Sequence, residues 1–401
     1  MGRPGDTDSA MAWRMAAAAF VGGFIVFGVV YSFGVLLPPL MDAFGAGRAA
    51  TTVVYAAASM VWYMLGPFTG RIADRRGPRA IVAIGAIAMG AGHVLTAFAD
   101  SLWFDCLAYG LGVGLGAACV YVPTLANLGG WFARRRNLAF AIAAAGTGCG
   151  MLAIPPATAF LIDCFGWRAA ELATGAIATS LLLACALAVS APPAAHASEG
   201  GRPLLPVLRS SAFATIYLSW ALATTALFVP FVFLPQYAAD GGAGPIAAST
   251  LISILGGASV AGRLGIGLLG ARLGSLALFK LSTATMMLSY LIWLACAGYW
   301  CLVAFAVLLG AAYGSRIALV PGVLIELFGT RDLGTLLGVL FTGTGIAAIV
   351  GPALAGHAID LTGDYAWGIA VAIALGGLGV AAILPIRQPG GGERTLRSGG
   401  V

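Results

Sequence analysis

The chain has 401 residues, of which 60% are hydrophobic and only 9% charged, with a formal net charge of +6. Soluble domains carry roughly 25% charged residues, so this composition excludes an ordinary soluble enzyme and a nucleic-acid-binding module and predicts an integral membrane protein. The long unbroken apolar runs exclude a transmembrane barrel, whose strands alternate over about 10 residues.

In chain order, residues 1–12 read as a polar tail. Apolar spans are predicted at about 13–38, 51–70, 80–99, 103–129, 138–162, 169–190, 213–238, 247–270, 275–297, 300–327, 334–359 and 366–386. Each is long enough to cross a hydrocarbon core of ~30 Å as a helix. The first is too long for a cleavable signal, and Asp6 stands where a myristoylation motif needs Ser or Thr. Residues 191–212 form a hydrophilic linker and 388–401 a second tail. The predicted fold is an all-α membrane protein of twelve transmembrane helices in two pseudo-symmetric six-helix bundles, 13–190 and 213–387.

The halves repeat. Gly70-Arg-Ile-Ala-Asp74-Arg75-Arg76-Gly77 recurs 197 residues later as Gly267-Leu-Leu-Gly-Ala271-Arg272-Leu-Gly274, and Asp163 and Gly166 recur as Asp360 and Gly363. Parallel repeats related by an axis along the membrane normal place a substrate site between them near the bilayer midplane.

Of the 21 Lys and Arg residues, only Arg48 and Arg168 are expected on one membrane side, and Arg263 and Arg316 fall inside spans. The rest lie on the other side, which the positive-inside rule assigns to the cytoplasm together with both termini. The expected location is the inner or plasma membrane. The seven cysteines show no CxxC and read as small buried hydrophobes. His93, His196 and His357 have no metal-binding spacing, so neither a metal nor another cofactor is expected. His93 reads as packing, and His357 as a group able to titrate.

A charge near the bilayer centre costs about 2.5–3.5 kcal/mol on insertion scales, so each intramembrane arginine needs a partner. Arg263 lies too deep in its span to snorkel easily. Its planar fork suits a carboxylate held through two parallel hydrogen bonds; the competing reading is that it satisfies backbone carbonyls. Arg316, in Tyr313-Gly-Ser-Arg316, maps onto Cys119 through the repeat. Two cations favour a dicarboxylate, or a monocarboxylate with a second polar acceptor, unless Arg316 only raises the potential of a watery outlet. Tyr121 and Tyr313 are candidate hydroxyl donors and Tyr31 a candidate outer closure. Aromatic residues in spans more often pack or form interfacial belts.

The stretch Gly70 to Arg79 resembles the loop between spans 2 and 3 of the major facilitator superfamily, departing from it only at Pro78. Within that superfamily the chain is similar to the monocarboxylate porter family and its bacterial oxalate/formate antiporter-like relatives. The matching residues are Tyr31-Ser-Phe-Gly-Val-Leu-Leu-Pro-Pro39, Gly112-Val-Gly-Leu-Gly116 through Tyr121-Val-Pro123, Trp131 through Ala139, and Gly146-Thr-Gly148 with Pro155 and Pro156. The resemblance implies a cytoplasmic latch built from Gly70, Asp74, Arg75, Gly77 and Arg79 with Arg272 from the second copy, lopsided because Ala271 replaces the aspartate. It also implies that Arg263 binds the substrate carboxylate. Ser259 stands one turn earlier, where relatives often carry Asp or Asn, and Tyr31 stands near a lysine of animal relatives. No Asp or Glu reads as mid-span.

The expected function is secondary active transport of a small mono- or dicarboxylate by alternating access, with a proton or counter-anion as partner and the monomer as the working unit in the bilayer. The rivals are an efflux carrier for a drug or hydrophobic metabolite, and a non-transporting sensor. Such pumps commonly carry a membrane-embedded acid, a sensor needs a soluble output domain, and an enzyme needs a clustered nucleophile or metal set. None of the three is read in this sequence.

Overall fold

The computed structural model describes residues 7–192, 204–243, 245–295 and 298–386. Every regular element among them is a helix: α1 (Ala10–Tyr31), α2 (Phe33–Phe44), α3 (Arg48–Arg76), α4 (Pro78–Ala97), α5 (Leu102–Trp131), α6 (Arg136–Phe165), α7 (Trp167–Ala188), α8 (Leu204–Leu208), α9 (Ser211–Asp240), α10 (Pro245–Leu273), α11 (Ser275–Ala295), α12 (Tyr299–Phe328), α13 (Leu333–Thr362) and α14 (Tyr365–Ile383). Nine helical stretches are long and apolar enough to cross a membrane, and one of them, Arg136–Ala188, holds α6 and α7 back to back. The two remaining spans are α3, whose ends are basic, and α10, which carries Arg263 and whose apolar part is Thr250–Ile266. The twelve-helix architecture expected from the sequence is thus present.

The repeat is written into the backbone. Moved by 197 residues, α3 lands on α10, α5 on α12 and α6 on α13 with identical bounds. The turn glycines correspond too: Gly77 and Gly274 have φ of +81° and +77°, and Gly166 and Gly363 have +79° and +70°. That region favours glycine because a Cβ clashes there. Proline at position 78 supplies N1 of α4, where its missing N–H costs nothing.

Local chemistry also departs from the expected spans. The first span is not one helix: Ser32 interrupts it, its Oγ donating to the Gly28 carbonyl at 2.7 Å and its N–H reaching Gly28 and Val29. The tail is shorter than expected, since Ser9 caps α1 and Asp8 is ordered. Asp8 takes φ +58°, donates its N–H to Trp131, and accepts the backbone N–H groups of Ala133, Arg134 and Arg135 at 3.0–3.3 Å. Partial burial pushes the Asp8 carboxyl up, but those three donors and the Arg135 charge outweigh it and hold it below its usual 3.8. The 191–212 linker contains the short helix α8; residues 193–203, His196 and the 388–401 tail lie outside the described residues. Two other expectations need correction. His93 is not merely packed, because its Nδ1 lies 2.6 Å from Glu171 Oε2. Cys301 is disulfide-bonded and Cys164 is exposed, so the cysteines are not all buried thiols.

The bundles meet through symmetry-related pairs, α3 with α13 and α6 with α10. Gly66 and Gly70 of α3 oppose Gly338 and Gly334 of α13, and a Cβ at Gly70 or Gly338 would strike the facing backbone. Such small-residue stripes let membrane helices touch backbone to backbone. At the same end Asp74 Oδ1 accepts the Gly334 N–H at 3.1 Å, while Oδ2 accepts the N–H and hydroxyl of Thr335 at 2.9 and 3.1 Å. The N-cap residue of α13, Asp332, makes no side-chain cap bond, so the acid that satisfies this helix N-terminus comes from the other bundle. These contacts close the molecule at the face that carries the basic loops, called here the basic face.

Gly338→Leu is expected to hold α3 and α13 apart, lengthening the distance between spin labels at positions 71 and 331; an unchanged distance contradicts the backbone contact. Asp8→Ala is expected to lower the melting temperature at neutral pH. Because the folded carboxyl is held low, the wild type keeps this contribution above about pH 4 and loses it as pH falls through the folded value. A melting temperature equal to wild type at pH 7 contradicts that role.

Candidate functional site

Between the bundles lies a narrow aromatic cavity with about 40 Å³ of free space. Phe27, Tyr31, Tyr63 and Tyr121 line it from the first half; Trp220, Thr224, Phe228, Tyr313, Arg316, Phe341 and Thr344 line it from the second. The rings lock edge to face and face to face: Phe27 meets Tyr121 at 4.9 Å and Trp62 at 5.0 Å, and Tyr121 stacks on Phe341 across the halves at 5.9 Å. Trp220 is fixed by its Nε1 donating to Thr344 Oγ1 at 2.9 Å.

The two arginines differ in kind. Arg316 is 1% exposed and already engaged within its own bundle. Its Nη1 donates to Thr224 Oγ1 at 3.2 Å, and its Nη2 donates to the Ser219 and Trp220 carbonyls at 3.3 and 3.2 Å. Its Cζ also sits 4.3 Å from the Trp220 ring centroid, a cation–π distance. Arg263 is equally buried, yet its Nε and Nη1 have no hydrogen-bond partner among the described residues. It does not line the cavity but stands behind it, 5.7 Å from the Tyr313 ring centroid. Tyr31 and Tyr121 lie within its electrostatic reach.

Gly148 of α6 leaves the room for Arg263: a Cβ there would sit 2.7 Å from Nη1. Ser259, one turn before Arg263, is buried with its hydroxyl unpartnered.

Of the six residues expected at the binding site, Tyr31, Tyr121, Tyr313 and Arg316 therefore line one cavity, while Arg263 and Ser259 are buried outside its lining. On the basic face, Gly70 and Asp74 join the cross-bundle contact, and Gly77 makes the α3–α4 turn. Arg75 lines an open cleft of about 710 Å³ with Arg71, Asp74 and Arg331. Arg79 is exposed, and the side chain of Arg272 lies outside the described residues. In the second copy, where Ala271 replaces the acid, a different pairing appears: Glu326 Oε2 accepts the N–H groups of Ser275 and Leu276, and Asn137 accepts the Ser275 hydroxyl across the halves.

Sequence reasoning missed Trp220 and Thr224, although their i,i+4 spacing puts them on one helix face. Gly148 was read only as part of a motif, because its task depends on a side chain of the other bundle.

The model of the Major Facilitator Superfamily matches residues 19–293 and 242–399. Human monocarboxylate transporter 11 is 32% identical over 382 residues, covering 90% of this chain and 80% of that protein. Monocarboxylate transporter 13 of Bos taurus is 31% identical over 389 residues, covering 94% and 90%. Two solved structures share the fold at 15% identity. The human organic anion transporter MFSD10 has a TM-score of 0.76, covering 93% of this chain and 99% of that one. The proton:xylose symporter XylE, bound to 6-bromo-6-deoxy-D-glucose, has 0.72, covering 93% and 95%. The chain belongs to the Major Facilitator Superfamily: it is a multi-pass membrane transporter rather than an enzyme, and the relatives named here from their sequences are monocarboxylate transporters.

Proposed function

We propose that this carrier moves a small organic monocarboxylate with an apolar body, and that Arg263 binds its carboxylate. The observation that carries the reading is the buried guanidinium with unpartnered Nε and Nη1. An unpaired buried charge is costly, whereas a carboxylate in the same place gains charge-assisted hydrogen bonds. The names of the sequence relatives agree with that anion class. A single arginine with open donors supports a monocarboxylate over a dicarboxylate, because both Nη groups of Arg316 are already engaged. The aromatic wall suits an apolar substrate body.

The charge pattern orients the basic face, with both termini, toward the cytoplasm. The state described is then closed inward, with Asp74 latching α13. In this state Tyr313 stands between Arg263 and the cavity. Loading turns the ring aside, pairs the arginine, and lowers the cost of closing the bundles around the cargo.

In proteoliposomes, Arg263→Ala is expected to reduce kcat/KM for monocarboxylate uptake by at least about thirtyfold, the equivalent of about 2 kcal/mol. Saturable uptake that survives the substitution sinks the anchor. Arg316→Gln is expected to lower thermal stability, through loss of the bonds to Thr224 and to the Ser219 and Trp220 carbonyls, without separating mono- from dicarboxylates. A selective loss of dicarboxylate uptake in that variant would restore the two-arginine clamp.

A further inference from the structure

The first bundle holds a second set of ionisable groups, remote from the cavity and packed where α4, α5 and α7 converge. His93, Asp105 and Glu171 are 1%, 0% and 1% exposed. His93 Nδ1 and Glu171 Oε2 share a 2.6 Å hydrogen bond. Neither oxygen of Asp105 completes a hydrogen bond, nor does the Thr96 hydroxyl beside it or the second ring nitrogen of His93. The groups are not spaced to hold a metal ion. The other titratable or charged groups around them are Cys106 and Tyr109 on α5, Arg168 on α7, Asp100 in the α4–α5 connection and Tyr55 on α3. Arg168 donates to the Ala99 carbonyl at 3.1 Å and stacks on Trp167, and it forms no ion pair with either acid.

Two carboxylates and one imidazole buried together stay neutral only with two bound protons. Either His93 is protonated, one acid is ionised and the other is protonated, or both acids are protonated beside a neutral imidazole. Removing one proton leaves an uncompensated buried negative charge, which is strongly unfavourable. The set lies at the end of the bundle opposite the basic face, since His93 is in the last turn or so of α4 while Asp105 and Glu171 open α5 and α7.

The set has a physical link to transport. The His93 ring packs edge-on against Tyr109 at 5.9 Å. Tyr109 donates its hydroxyl to the Val29 carbonyl of α1 at 3.3 Å and leans on Phe33 of α2 at 5.6 Å. Those two contacts bracket the Ser32 break next to the cavity residue Tyr31.

We propose that His93, Asp105 and Glu171 form a proton-binding site, separate from the substrate cavity, whose protonation from the outer face keeps the first bundle packed and so sets the pH dependence of transport. Raising external pH draws a proton from the set through the 98–101 connection. The residual charge pulls in water, loosens α4 from α5 and α7, and through Tyr109 shifts the α1–α2 joint. The direction of the flux readout rests on the carrier reading and the membrane orientation above.

The test pairs two measurements on the full-length protein over about pH 5 to 8. Monocarboxylate uptake into proteoliposomes is followed at fixed internal pH, and infrared difference spectra of the purified protein without cargo report protonated carboxyl groups. Wild-type uptake is expected to fall severalfold as external pH rises, and Asp105→Asn, which keeps a neutral side chain of the same shape, to cut that fall to less than about twofold and remove a titrating carboxyl band. A wild-type protein with no carboxyl band titrating in this range overturns the site even if no monocarboxylate is transported. So does Asp105→Asn that keeps both the band and the wild-type pH profile. If Asp105→Asn does not fold, Glu171→Gln is read in the same way, with the same two outcomes.

Discussion

A guanidinium in a low-dielectric interior has to be paired, and that requirement shapes the centre of this molecule. Arg316 meets it internally, gripping a threonine, two carbonyls and a tryptophan face. Arg263 meets it only in part, between Gly148 and Tyr313. Since the two arginines are equally buried, the difference is one of partners rather than depth. Arg316, with only Nε left open, acts as a structural pin, whereas Arg263, with Nε and Nη1 open, is the charge proposed to gain most from an anion.

The same division of labour recurs at the basic face. Repeat symmetry supplies equivalent helices and equivalent glycine turns, but not equivalent polar contacts. Asp74 satisfies the α13 N-terminus across the bundles. The loop before α6, the matching place in the first half, is satisfied by Asp8 from within its own half. One cap crosses between the bundles and the other does not, so the pseudo-symmetric contacts differ in kind.

Much of this was legible in the sequence because membrane physics makes charge conspicuous. Twelve apolar spans, the 197-residue repeat and the two embedded arginines stand out against a chain that is 9% charged. What stayed hidden depends on long-range packing. The motif supplies Asp74, but its partners lie 260 residues away at Gly334 and Thr335. The Ser32 break is masked by apolar residues on both sides, with the hydroxyl bonding back along the helix as serine often does. Asp8 looked like part of a polar tail because its acceptor role needs three consecutive N–H groups from another loop. His93, Asp105 and Glu171 sit near the ends of three separate spans, where polar residues are ordinary, and only the packing of α4, α5 and α7 reveals them as one buried set.

The most direct test of the account is a structure of the protein saturated with a transported monocarboxylate. The account predicts the two carboxylate oxygens at about 2.7–2.9 Å from one fork of the Arg263 guanidinium, Nε with Nη2 or Nη1 with Nη2, with Tyr313 turned out of the way and Arg316 still bound to Thr224, Ser219 and Trp220. A carboxylate seated on Arg316, with none of its oxygens on Arg263, would contradict it.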